Sequence, residues 1–245
     1  MGAERPGGVV ITGASSGLGA AAASELARRG LAVACVSRRG ITPEVPGADG
    51  RLLPYPCDVT DSATVERALA DFNERAGGIR ALVNNAGLHE EAAAAEVGLD
   101  ALRRIFEINV FAAFAVARAA YPYLRRNGGV IVGTGSFFDR LGVRGNLAYS
   151  SSKAALASIN RTLAVEWARD GIAVVTVAPG FVLTELNREQ LADAENRAKV
   201  ERRIPIRRIG TAQEVGQLIA ALVVEAIPFL TGETIYVDGG QSIAL

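Results

Sequence analysis

The stretch from Gly8 to Arg29 constrains this chain most. A short apolar run, Gly8–Thr12, leads into Gly13-Ala14-Ser15-Ser16-Gly17-Leu18-Gly19 and then a small-residue run from Ala20 to Arg29. The pattern predicts strand, glycine turn, helix. Glycines let a backbone approach a pyrophosphate closely, and a helix N-terminus offers free N–H groups and a partial positive charge. The spacing is G-x-x-x-G-x-G rather than G-x-G-x-x-G, and no Gly-Lys-Ser/Thr follows, so this is not a P-loop. The plainer alternative is a tight turn whose glycines serve packing.

The rest of the chain repeats the alternation. Further apolar strands are predicted at Leu31–Val36, Arg51–Tyr55, Ile79–Val83, Val130–Gly133, Ile172–Ala178 and Thr234–Val237. Helices are predicted from Asp61 or Thr60 as N-cap through Arg75, at Leu99–Phe106 and Asn109–Arg126, along Ala154–Trp167, and at Thr211–Glu225. Pro122 would bend the third of these or sit near its end. Strands alternating with helices imply an α/β fold, a doubly wound parallel sheet of about seven strands with helices on both faces. No repeat or linker interrupts it, so one domain over residues 1–245 is expected. The polar segment Thr184–Ile209 reads as a mobile helical insertion, a lid over a substrate.

Composition removes several function classes. Lys plus Arg equals Asp plus Glu, 26 each, so neither a nucleic-acid surface nor an anionic membrane surface is indicated. One His and two Cys make a protein metal site unlikely to be built, and Cys35 and Cys57 form no disulfide framework. The first residues carry no apolar leader, Pro6 spoils a myristoylation signal, and no run of about 18 apolar residues exists. Val215–Leu230 comes nearest. A soluble cytoplasmic protein is expected.

The chemistry concentrates between Ser136 and Lys153. Tyr149 and Lys153 are four apart at the start of a helix-like run, so phenol and ammonium share a face. A free tyrosine titrates near about 10, and a neighbouring cation favours its phenolate. Ser136, just after a strand, can add a hydroxyl. Phenol, lysine and hydroxyl together can give a proton to a carbonyl oxygen or take one from an alcohol. The pairing alone is weak, since Tyr-x-x-x-Lys also arises on solvated helix faces. At the end of the second strand stand Ser37, Arg38 and Arg39, with no acid between Leu31 and Gly40. An acid there would bind the ribose hydroxyl of NAD, whereas arginine accommodates the phosphate of NADP. NADP(H) is therefore expected over NAD(H); otherwise Arg38 and Arg39 are merely solvated.

Taken together these pieces resemble the short-chain dehydrogenase/reductase family, its 3-oxoacyl-carrier-protein-reductase-like subgroup. The matching residues are Thr12-Gly13-x-x-x-Gly17-x-Gly19, Asn84-Asn85-Ala86-Gly87, Asn109, Ser136, Tyr149-x-x-Ser152-Lys153, and Pro179-Gly180 with Thr184. The likeness runs from Gly8 to Gly240, and the Ser136-to-Tyr149 spacing is the family's usual one. The resemblance implies a Rossmann fold and a set of roles. Tyr149 would be the general acid/base. Lys153 would lower its pKa and hold the nicotinamide ribose, Ser136 would position the carbonyl, and Asn109 would hold a proton-passing water. Gly13, Ser15, Ser16, Gly17, Leu18 and Gly19 would cradle the pyrophosphate, with Ser37, Arg38 and Arg39 at the ribose phosphate. Asp58 and Val59 would meet the adenine, Asn85, Ala86 and Gly87 the cofactor's inner side, and Pro179, Gly180, Val182 and Thr184 the nicotinamide end. Without the family, Asn109 reads as an ordinary buried asparagine and Asp58 as a turn former. His89, the single histidine, reads more readily as a surface loop residue than as part of a pocket.

Phe137, Phe138 and Leu141 follow Ser136 and suit either an apolar pocket for a hydrophobic or ring-shaped ketone, or core packing. Asp139, Arg140 and Arg144 suit either polar selection or solvent. The expected function is oxidation or reduction between a free ketone and a secondary alcohol. The runner-up is reduction of 3-oxoacyl thioesters on acyl carrier protein or CoA. Arg125 and Arg126 fit an acidic carrier, but Asp170 stands where such reductases tend to be basic. A non-catalytic nicotinamide-binding sensor would tend to lack the tyrosine or lysine. An epimerase or dehydratase would tend to be longer. The resemblance also implies a homotetramer or homodimer packed through the helices around Phe111 and Leu156, with alanine runs Ala112–Ala120 and Ala154–Ala157 permitting close approach.

Overall fold

A computed structural model describes residues 7–48, 50–185, 187–188 and 191–244. Seven parallel strands form one sheet: β1 (Gly8–Thr12), β2 (Val33–Ser37), β3 (Leu52–Pro56), β4 (Ile79–Asn84), β5 (Gly129–Thr134), β6 (Ile172–Pro179) and, last in the chain, β9 (Thr234–Val237). Their order is β3-β2-β1-β4-β5-β6-β9. The order reverses between β1 and β4, and such a switch point opens a crevice at the strands' carboxyl ends.

The central strands are apolar at almost every position because both faces are covered. Period-two alternation sorts their residues into two cores. Val10, Ala34, Leu82, Ile131 and Val174 meet α2 (Ser62–Ala76), α4 (Ala113–Leu124) and α5 (Leu147–Trp167) on one face. Val9, Ile11, Val33, Cys35, Ala81, Val83, Val130 and Val132 meet α1 (Gly17–Arg28) and α7 (Ala212–Glu225) on the other. The α1–α7 contact is close: a Cβ on Gly216 would come within 2.8 Å of the Ala21 carbonyl carbon. Capping fixes two helix starts. Asp61 accepts from the Thr64 amide, and Thr211 and Glu214 form a reciprocal capping box.

Two expectations change here. The helices at Leu99–Phe106 (α3) and Asn109–Arg126 are one continuous run, joined by a π-helical turn over Glu107–Ala112. Pro122 lies in the last turn of α4, two residues before Leu124. Among the described residues, the run Leu99–Leu124, 26 residues long, and not Val215–Leu230, is the helix long and apolar enough to cross a membrane. It packs Val116, Ala117, Ala120 and Leu124 on the sheet, as a core helix does. Of the alanine runs, Ala112, Ala113, Ala117, Ala120 and Ala157 are buried, as is Leu156, while Ala115, Ala119, Ala154 and Ala155 stay partly exposed. Phe111 and Phe114 are exposed.

The segment after β6 is framed by a two-stranded pair, β7 (Val182–Leu183) with β8 (Gly210–Thr211). Between them the helical expectation is met over α6 (Ala194–Arg202). Leu186, Glu189 and Gln190 of that segment lie outside the described residues.

Candidate active site

The crevice begins at the glycine turn. Gly13 has a φ of 69° and Gly17 one of 56°, left-handed values that an L side chain rarely adopts. A Cβ on Gly13 would come within 2.9 Å of the Ala86 Cα, and one on Gly19 would collide with the Gly13 carbonyl oxygen. Side chains are thus excluded from the place where α1 starts. Ser16 is the N-cap of α1 and makes no side-chain cap bond, and Leu18 packs beneath on the α1–α7 core.

Thr12 ties the two sides of the switch together. Its hydroxyl accepts from the Asn85 and Ala86 amides, both at 3.0 Å, while Asn85 Nδ2 donates to the Thr12 and Gly13 carbonyls at 3.1 and 3.3 Å. Arg39 reaches back over the turn, donating to the Ser15 hydroxyl at 2.9 and 3.1 Å. Ser37 is buried and accepts from the Gly40 amide at 3.2 Å. Two hydrogen bonds from Thr60 hold the Asp58 carboxyl below its ordinary range, and the Arg38 charge adds to that. Val59 is partly buried and packs against the α2–α4 core.

The Tyr149 end lies across the sheet's carboxyl edge. Tyr149 and Lys153 sit in the first two turns of α5. Lys153 is buried and donates from Nζ to the Thr134 carbonyl at 2.8 Å, with Nζ 5.6 Å from the Tyr149 ring centroid. Burial lowers its pKa from 10.5 to about 8. Burial raises that of Tyr149, and a hydrogen bond with Ser136 pulls the phenol the other way. Ser136 is buried, and its Oγ also accepts from the Phe138 amide at 3.2 Å. Gly87 is the meeting point: a Cβ there would lie 3.2 Å from Asn109 Oδ1 and 3.5 Å from Lys153 Nζ.

Asn109 lies in the π-helical turn, which turns its amide inward. Its Oδ1 accepts from the Leu88 amide at 2.7 Å, and its Nδ2 donates to the Leu88 carbonyl at 2.9 Å and to Ser152 Oγ at 3.0 Å. The side chain therefore pins the loop after β4 to α5. The Ser136 turn is braced from the far side. Tyr236 of β9 donates to Asp139 Oδ1 at 2.9 Å, and the Arg140 guanidinium lies 3.8 Å from its ring centroid. Burial raises the Asp139 carboxyl, against that hydrogen bond.

His89 is an exposed loop residue, as expected, but it also borders the crevice: its ring lies 4.5 Å, centroid to centroid, from that of Tyr149. Phe137 and Phe138 are both buried and pack on Phe181, and Phe138 meets the Tyr149 ring edge-on at 6.2 Å. Pro179 ends β6, and the Gly180 amide donates to the Val237 carbonyl at 3.1 Å. Val182 is buried in the α1–α7 core, and the Thr184 amide donates to Asn187 Oδ1 at 2.9 Å.

Known proteins share this arrangement over almost the whole length. The family model described as enoyl-(acyl carrier protein) reductase matches residues 13–242. Glucose 1-dehydrogenase of Gluconobacter oxydans is 32% identical over 243 residues, covering 96% of this chain and 91% of that protein. The 3-oxoacyl-[acyl-carrier-protein] reductase of Salmonella typhimurium is 34% identical over 237 residues, covering 95% and 96%. A short-chain type dehydrogenase/reductase from Mycobacterium marinum superposes with a TM-score of 0.90 at 32% identity, covering 98% and 97%. The chain belongs to the short-chain dehydrogenase/reductase family.

As a short-chain dehydrogenase/reductase it is a nicotinamide-dependent oxidoreductase acting on CH–OH and C=O groups. The crevice fits such a cofactor, because the glycine turn keeps side chains off the start of α1. That anion position is engaged by the protein itself: the Gly17 amide donates to Glu185 Oε2 at 3.1 Å. A bound pyrophosphate would compete with that carboxylate. One such exposed hydrogen bond is worth about 0.5–1.5 kcal/mol, so Glu185→Ala, which removes the accepting oxygen as well as the charge, should tighten binding of the nicotinamide cofactor by about two- to tenfold. Isothermal titration calorimetry checks this, and weaker binding by the variant would contradict it.

Sequence reasoning gave Thr12 no role beyond its place in the motif, and it passed over Glu185, Phe181 and Asn146. Only Asn146 left a local signal, as an N-cap-type residue just before the helix of Tyr149.

Proposed function

We propose that this chain is an NADP(H)-dependent oxidoreductase that interconverts a ketone and a secondary alcohol through a Ser136–Tyr149–Lys153 proton relay. The observation that carries the reading is the buried Lys153, its Nζ 5.6 Å from the Tyr149 ring centroid, with Ser136 beside the phenol at the crevice's end. In reduction, the substrate carbonyl oxygen accepts hydrogen bonds from Ser136 Oγ and the Tyr149 phenol. The nicotinamide, when bound, supplies the hydride to the carbonyl carbon. Tyr149 gives its proton to the oxygen as negative charge develops there. Ser136 then donates to the phenolate, and Lys153, titrating near about 8, returns a proton from solvent at ordinary pH. Oxidation runs these steps backwards. Asn109 holds the loop that carries Gly87 and Leu88 against this relay.

The cofactor preference rests on Arg38 and Arg39, with no acid at the end of β2 and with Arg39 already over Ser15. Charged hydrogen bonds are worth about 1.5–3 kcal/mol each. Replacing both arginines by alanine should therefore cut kcat/KM for NADPH by at least about tenfold and leave that for NADH nearly unchanged. A wild-type preference for NADH would overturn the assignment.

Phe137, Phe138 and Phe181 beside Tyr149 favour a free ketone with a hydrophobic or ring-shaped substituent. A 3-oxoacyl thioester is the second reading, favoured by the similarity to a 3-oxoacyl-[acyl-carrier-protein] reductase. Against carrier delivery, Asp170 keeps its carboxylate on the face of Arg125, where Tyr121 donates to it at 2.8 Å. The whole chain would act as one cofactor-binding domain with residues 184–209 as a lid that closes on substrate. Exposed Phe111 and Phe114 on the α4 side, with Leu147 and Val165 on α5, support burial against a second subunit in a homotetramer or homodimer. We place the enzyme in the cytoplasm. The test is a ketone panel with NADPH and NADH followed at 340 nm. Tight cofactor binding with no absorbance change for any substrate would favour a sensor instead.

A further inference from the structure

The ring of His89 is fixed at one nitrogen and open at the other. Asn146, buried at the N-terminus of α5, donates from Nδ2 to the Arg144 carbonyl at 3.1 Å. Its amide orientation is thereby set, so Oδ1 is the atom that faces His89 Nε2 at 2.6 Å. An amide oxygen only accepts, so Nε2 carries the proton. In the neutral ring Nδ1 is then a hydrogen-bond acceptor. Among the described residues Nδ1 has no partner, and the one other charged group beside the ring, Glu91, faces Nε2 at 3.7 Å. The side chain is about a third exposed, at 34%, so a ligand can reach it.

The loop that carries His89 is held in place. The Ala92 amide donates to the Gly145 carbonyl at 2.9 Å, and Ala92 and Asn146 form a parallel bridge. The imidazole is thus rigidly set 4.5 Å from the Tyr149 ring, beside the phenol that holds the substrate oxygen. The other ring on Tyr149 is Phe138, which is apolar. The reacting carbon therefore has one aromatic, apolar neighbour and one polar, acceptor-bearing neighbour.

We propose that His89 is a specificity-determining residue whose Nδ1 accepts a hydrogen bond from a hydroxyl on the carbon next to the reacting carbonyl, so that the preferred substrates are α-hydroxyketones and the vicinal diols they yield. This deepens the oxidoreductase reading and rests on it. A substrate hydroxyl on the carbon next to the carbonyl carbon lies within a few ångströms of the phenol, where His89 stands. An unhydroxylated ketone leaves Nδ1 to water.

The test uses matched pairs with NADPH: cyclohexanone against 2-hydroxycyclohexanone, and 2-butanone against 3-hydroxy-2-butanone. Wild type should favour the hydroxylated member of each pair in kcat/KM, mainly through KM. His89→Phe keeps a ring against Tyr149 but removes the acceptor, and should shrink that preference at least tenfold. His89→Gln, which restores an acceptor, should recover part of it. Equal kcat/KM within the pairs for wild type, or a preference that survives His89→Phe, would overturn the assignment. Turnover of neither member of any pair would instead remove the oxidoreductase reading itself, and the inference with it.

Discussion

Tyr149→Phe should lower kcat by about a hundred- to ten-thousand-fold, the range for removing a positioned general acid, and leave NADPH affinity unchanged. The reasoning is local. Phenylalanine keeps the ring that His89 and Phe138 pack against, so the wall of the crevice survives. Only the hydroxyl shared with Ser136 is lost. The carbonyl oxygen then has one donor instead of two as charge builds on it, and no acid to receive a proton from. KM should move less than kcat, because the missing interaction is strongest in the transition state. Fluorescence titration with NADPH and steady-state kinetics separate the two effects. A variant retaining a tenth or more of wild-type turnover would contradict the role.

Lys153→Met should abolish most turnover and yet stabilise the ligand-free protein at neutral pH. Burial depresses the ammonium from 10.5 to about 8, which amounts to roughly 3 kcal/mol of cost for keeping the charge inside. The sign follows from proton binding. Between about 8 and 10.5 the unfolded chain holds the proton more tightly than the folded one, so stability rises with pH across that window. The cost is present in full below it and absent above it. Methionine carries no charge and removes the cost, but it leaves the Thr134 carbonyl without its charged Nζ donor, a loss of about 1.5–3 kcal/mol. The net gain at pH 7 is at most about 1.5 kcal/mol, or up to roughly 3–6 °C in Tm for a chain of this size. It should fade as pH approaches 10.5. Calorimetry at pH 7 and pH 10 checks both the size and the trend. A lower Tm for the variant at pH 7 would mean that the ammonium is better solvated in the fold than its burial implies. Turnover should fall at least about a hundredfold, because the tyrosinate loses its route to a new proton.

Much of this was legible in the sequence, for reasons that differ by residue. Gly13 and Gly19 announce the crevice because backbone approaches so closely there that no Cβ fits. Tyr149 and Lys153 announce a shared face because helix geometry alone brings positions four apart together. The strands stand out because a sheet covered on both faces needs apolar residues at nearly every position. The contacts that escaped reading join residues far apart in the chain. His89 meets Asn146 across 57 positions, Tyr236 meets Asp139 across 97, and Glu185 meets Gly17 across 168. Sheet order and loop paths decide those meetings, and no local pattern encodes them. The π-helical turn at Glu107–Ala112 escaped for another reason: Glu107 and Ile108 fall between the predicted helices Leu99–Phe106 and Asn109–Arg126, and one extra residue in a turn leaves no local pattern of its own.

The central claim is that hydride passes to a carbonyl carbon while the protein supplies the proton to its oxygen. NADPH deuterated at the nicotinamide C4, prepared separately as each of its two stereoisomers, tests it when supplied with a ketone in ordinary water. One isomer should give an alcohol with a single deuterium on the carbinol carbon and the other none, by mass spectrometry, with Tyr149→Phe forming neither at an appreciable rate. Alcohol that carries no deuterium from either isomer, or bound NADPH that never yields alcohol, would contradict the account.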